Sequence, residues 1–63
     1  MMNALVRIKG TDIIGEIISF HHGTVIPWEN INLSYYRIKY KRNGRELFEL
    51  ANVNDVVPVY QED

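Results

Sequence analysis

With 63 residues, 46% of them apolar and 24% charged, the chain has room for one domain spanning residues 1–63, and its composition is neither disordered nor fibrous. A domain of that size buries only about 60% of the surface its unfolded chain exposes, so its core must be compact and nearly complete. The formal net charge of −1 argues against holding nucleic acid by bulk electrostatics, and the absence of cysteine removes disulfides and thiolate-bound metal as staples.

The start, Met1-Met2-Asn3-Ala4, has no basic region followed by an apolar one, so no secretory signal is expected and the expected setting is cytoplasmic. No apolar run approaches the roughly 20 residues that cross a bilayer. Apolar residues recur at two, not at three and four, which predicts an all-β chain. Ala4 to Lys9 alternates, with Ala4, Val6 and Ile8 on one face, and is predicted as the first strand. After the turn residues Gly10-Thr11-Asp12, Ile13 to Phe20 is apolar on both faces with Gly15 in its middle, as expected of a central, strongly bent strand. From His21 to Ser34 the alternation stops and Gly23, Pro27, Asn30 and Asn32 interrupt any pattern, predicting a long loop that either binds something or folds upon itself.

Tyr35 to Lys41 resumes as a strand, with Tyr36, Ile38 and Tyr40 on one face and Tyr35, Arg37, Lys39 and Lys41 on the other. Asn43-Gly44 signals a hairpin into Arg45 to Leu50. A two-residue turn would set Glu49 opposite Ile38, among core residues. Matching of faces therefore favours a type I turn with Gly44 left-handed in a bulge, pairing Lys41 with Arg45, Ile38 with Phe48, Tyr36 with Leu50 and, on the solvent side, Arg37 with Glu49. Asn52-Val53-Asn54-Asp55 reads as one 3₁₀ turn before a short last strand, Val56 to Tyr60, which Pro58 places at an edge. The expected core is Val6, Ile8, Ile17, Ile38, Phe48 and Val57.

This order of elements resembles the SH3-like small barrels, on Val6-x-Ile8, Gly15-x-Ile17, Tyr36-x-Ile38-x-Tyr40, Phe48 and Val56-Val57-x-Val59. The resemblance implies an all-β, five-stranded antiparallel barrel with one long loop and a short 3₁₀ turn before the last strand. Tudor, KOW and photosystem accessory-subunit domains look alike at this level, and they bind methylated side chains, RNA or ribosomal partners, and other proteins respectively, so fold alone does not choose a function. Val6-x-Ile8-x-Gly10, Gly15-x-Ile17 and Ser19-Phe20 are also similar to the first signature of Sm-like RNA-binding proteins. The chain departs from that family at His21, where an acid is usual, and at Leu50-Ala51-Asn52, all that matches its second signature. The RNA-contacting positions are therefore not carried over.

No catalytic or cofactor pattern stands out. His21 and His22 are neighbours that point opposite ways in an extended chain, the only serines are Ser19 and Ser34, and no Gly-rich phosphate loop is present. A small non-catalytic binding module is the expectation, with no metal and no cofactor. Protein binding would use Trp28, Glu29 and Tyr35, although Trp28 could instead fold back as a lid on the core. Arg37, Lys39, Lys41, Arg42 and Arg45, five of the seven basic residues, could alternatively track a phosphate backbone with Tyr35 stacked on a base. A third reading is a self-associating structural protein, a homo-oligomer paired through the last strand.

Overall fold

The computed structural model describes residues 4–59. Within them, β1 (Leu5–Ile8), β2 (Ile14–His21), β5 (Tyr35–Arg42), β6 (Arg45–Asn52) and β7 (Val56–Pro58) form one antiparallel sheet in the order β6-β5-β2-β1-β7. Between β2 and β5 the chain makes a small second sheet from β3 (Val25–Ile26) and β4 (Ile31–Asn32), with a 3₁₀ turn, Pro27–Glu29, at its tip. A second 3₁₀ turn, Val53–Asp55, precedes β7. The all-β reading and this turn agree with the sequence. Among the described residues no ladder joins β6 to β7, so the sheet is open and not closed into a barrel. Tyr60, the expected end of the last strand, lies outside the described residues.

The bend of β2 comes from two devices. Gly15 packs so closely on β5 that a β-carbon there would sit inside contact distance of the Lys39 carbonyl oxygen and 2.8 Å from Ile38 Cγ2. Three residues on, the register slips: Ile17 faces Ile38 but Ser19 faces Arg37, leaving Ile18 as a bulge. That extra residue turns Ile17 and Phe20 to the concave face and Ser19 and His21 to the convex one. The bend expected around Gly15 is thus made by a close backbone approach at Gly15 and a bulge at Ile18.

The core sits on the concave face and is small. Val6, Ile8, Ile38 and Ala51 are buried, with Ile13, Ile17, Tyr36 and Val56 packed against them. Val57 is half-buried, while Phe48 is 47% exposed, contrary to its expected core position. The cause is the β5–β6 register. Arg42 pairs with Arg45 across a two-residue turn, and Ile38 therefore faces Glu49, Tyr40 faces Leu47 and Arg37 faces Leu50. The bulged hairpin favoured by face matching does not form. Asn43 and Gly44 are both left-handed (φ 54° and 76°), the conformation a type I′ turn needs, and its twist suits the flanking strands. Local turn chemistry wins because β6 is an edge strand beyond the core, where a charge on the concave face still reaches water.

The excursion from residue 21 to residue 34 is tied down at its base by Ser34, which is 2% exposed. Its hydroxyl accepts from the Gly23 amide at 2.9 Å, its own amide donates to Asn32 Oδ1 at 3.0 Å, and its carbonyl accepts from the Val53 amide at 3.1 Å. Asn52 completes the tie, donating from Nδ2 to the Asn32 carbonyl at 2.7 Å while its Oδ1 accepts from the Asn54 amide at 2.8 Å and caps the second 3₁₀ turn. Among the described residues no buried side-chain polar atom lacks a partner.

Candidate functional site: the convex face of β2, β5 and β6

Residues directly opposite one another in an antiparallel ladder share a face. The registers therefore lay out three rows on the convex side: His21, Tyr35 and Asn52; Ser19, Arg37 and Leu50; Glu16, Lys39 and Phe48. His21, Tyr35, Arg37, Phe48, Glu49 and Leu50 line a shallow groove of about 500 Å³. The His21 and Tyr35 rings stack at 4.8 Å with an interplanar angle of 15°, and His21 Nε2 lies 3.1 Å from Ser19 Oγ. The Arg37 guanidinium sits over the Phe48 ring, 4.6 Å from its centroid, a cation–π contact that holds both side chains on the strand surface. Beside them Leu50 is 61% exposed. The groove is thus aromatic and aliphatic along its floor, with one guanidinium, on paired strands that fix its geometry.

The basic stretch does not form one positive stripe. Arg37, Lys39 and Lys41 share the convex face, but Lys39 stands opposite Glu16 and Lys41 opposite Glu46. Arg42 reaches Asp12 with an Nη2–Oδ1 distance of 2.8 Å and lies over the Tyr40 ring at 5.7 Å. Arg45 is exposed at the start of β6. A second groove of about 330 Å³, with Glu16, Lys39, Lys41 and Glu46 in its walls, carries both signs of charge.

Trp28 and Glu29 stand apart from the groove, on the 3₁₀ turn at the tip of β3 and β4. Pro27 opens that turn and Asn30, left-handed at φ 58°, closes it by donating its amide to the Pro27 carbonyl at 3.1 Å. Trp28 is 85% exposed, so it is no lid on the core. The register expected from the sequence turns Phe48 and Leu50 inward and so hides them as surface residues, and His21 has no local signal because its ring partner, Tyr35, lies across the β2–β5 ladder. Among the described residues no group of three or more His, Cys, Asp or Glu side chains is placed to hold a metal ion, and no helix is long and apolar enough to cross a membrane. No protein-family model, no curated protein and no solved structure matches the chain.

Proposed function

We propose that the chain is a small, non-catalytic protein-interaction module of the SH3-like kind, taking up a partner protein on the convex face of β2, β5 and β6. The observation that carries this reading is the exposure of Phe48 and Leu50 beside Arg37 and Tyr35 on hydrogen-bonded strands. Aromatic, aliphatic and Arg side chains clustered on a preorganised surface are the composition of interface hot spots. Trp28 and Glu29 supply a second contact from the β3–β4 tip. The bulged β2, the 3₁₀ turn before β7 and the β7–β1 pairing support the SH3-like assignment.

The test is affinity capture at about 0.15 M salt after nuclease treatment, using the wild-type chain, Phe48→Ser and Trp28→Ala as baits, each checked for an unchanged circular-dichroism spectrum. A protein bound by wild type and lost with Phe48→Ser supports the reading. Equal capture by all three baits, or capture abolished by nuclease, overturns it.

A nucleic-acid-binding barrel is the second reading. The specific observation in its favour is the His21–Tyr35 stack beside Arg37 and Lys39 on one sheet face, since bases stack on such platforms and cations track the backbone.

A further inference from the structure

The two edges of the main sheet differ in kind. β7 is three residues long and contains Pro58, which has no amide to donate. β6 is eight residues long, has neither proline nor glycine, and from Arg45 to Leu50 is exposed on both faces. The two-residue turn makes Arg42 and Arg45 the hydrogen-bonded closing pair, so Glu46, Phe48 and Leu50 aim their amides and carbonyls away from β5, into an edge that pairs with no other strand among the described residues. Leu47 on the concave side and Phe48 and Leu50 on the convex side leave apolar surface on both faces of that edge. Such an edge is a template for another strand.

The charge order along β6 names the strand that fits. Two antiparallel copies of an edge strand are related by a two-fold axis perpendicular to the sheet, which keeps each face on its own side and centres the pairing on a single residue. Centring on Glu46 or on Glu49 sets like charges face to face. Centring on Phe48 sets Leu47 against Glu49 and Glu46 against Leu50. Centring on Leu47 pairs Leu47 with itself and sets Arg45 opposite Glu49 twice, once on each side of the axis. This is the one central register in which opposite charges meet.

We propose that two copies of this chain pair edge to edge through β6, antiparallel and centred on Leu47, with each Arg45 facing Glu49 of the second copy. The main sheets then join into one ten-stranded sheet, twice the five strands of each copy, and the two convex grooves lie on the same side of it. The pairing does not depend on what the grooves bind.

Mass and register are read separately. Sedimentation of the wild-type chain should give twice 7.4 kDa at micromolar concentrations. Arg45→Glu and Glu49→Arg should each weaken the dimer by about tenfold or more, because each turns two attractions into two repulsions, and the combined swap should restore it. The chain has no cysteine, so Leu47→Cys is a clean reporter: its two copies would stand about 4.5 Å apart between Cα atoms, within disulfide range. Mild oxidation should link Leu47→Cys and leave Phe48→Cys unlinked, since in this register the two copies of residue 48 are diagonal. A chain that stays monomeric to about 1 mM, charge reversals without effect on a dimer, or faster linking of Phe48→Cys would each overturn the proposal.

Discussion

Ile38 and Glu49 stand directly opposite one another in the β5–β6 ladder, yet Ile38 is 0% exposed and Glu49 is open to solvent. The boundary of the core runs between them. Ile38 packs over Gly15 and among Val6, Ile8 and Ala51, whereas among the described residues nothing buries the concave side of β6 before Ala51. A carboxylate there keeps its hydration and costs little, so the register that places it there is tolerated.

Truncation should locate this boundary. Ile38→Ala removes a fully buried side chain from a core of few members and should cost about 2 to 5 kcal/mol. In a chain this short that approaches the whole stability, so the variant should be largely unfolded at room temperature. Phe48→Ala, which gives up surface contacts and the Arg37 cation–π pair, should cost about 1 kcal/mol or less. Urea unfolding of the two variants beside wild type measures the difference, and equal losses would mean that Phe48 belongs to the core.

The same pair marks how far the sequence could be read. The all-β class, the positions of β1, β2 and β5, the 3₁₀ turn after Asn52 and the edge position of Pro58 were legible because alternation and turn residues are local signals. The hairpin register was not. Face matching assumed that every concave residue of β6 is core, but burial depends on how far neighbouring strands extend, which no local pattern states. Asn43-Gly44 carries the correct local signal, since both residues accept the left-handed conformation a two-residue turn needs. Of the site, Tyr35, Arg37 and Lys39 were placed on the right face, while Phe48 and Leu50 moved with the register error. Ser34 and Asn52 were unreadable as anchors because their partners lie 11 and 20 residues away in sequence.

The glycines should separate conformational strain from steric conflict. Gly44 has φ of 76° and open space for 4 Å around the position a β-carbon would take, so Gly44→Ala should cost about 1 kcal/mol and Gly44→Asn less, since Asn tolerates the left-handed region. At Gly15 the obstacle is the backbone of Lys39 and the side chain of Ile38, and no rotamer change relieves it. Gly15→Ala should push β2 from β5 and abolish cooperative thermal unfolding. A Gly15→Ala protein as stable as Gly44→Ala would show that the close approach of the two strands is not required.

The base of the β3–β4 excursion should loosen without global unfolding. Ser34→Ala leaves the Gly23 amide without its acceptor, and Asn52→Ala removes both the tie to the Asn32 carbonyl and the cap on the Asn54 amide. Losses of about 1 to 2 kcal/mol each are expected from the unpaired groups and the lost cap. Amide exchange should show where they fall: faster at Gly23 and Leu33 in Ser34→Ala, with the β1–β2 amides unchanged at matched stability. Uniform acceleration across the main sheet would instead make Ser34 part of the global core.

The salt dependence of any nucleic-acid binding should decide between the two functional readings. Arg42 and Arg45 fall on the concave side of the β5–β6 ladder, and Arg42 is held by Asp12, so Arg37, Lys39 and Lys41 are the cations of the basic stretch on the convex face. Three contacts to a single strand would give a slope of about −2 in log affinity against log salt, at roughly −0.7 per contact. The facing carboxylates of Glu16 and Glu46 oppose even that, and the net charge of −1 adds no steering. Weak binding without sequence preference, lost by about 0.15 M salt, is therefore the expected outcome of a titration with single-stranded RNA. Micromolar binding that persists at that salt, falls with a slope near −2 and is lost in both Tyr35→Ala and Lys39→Glu would establish the nucleic-acid reading in place of the protein-interaction one. In that case the stack of His21 on Tyr35 is the platform a base would pack against, and His21→Ala should weaken binding without changing the slope, because it removes stacking and no phosphate contact.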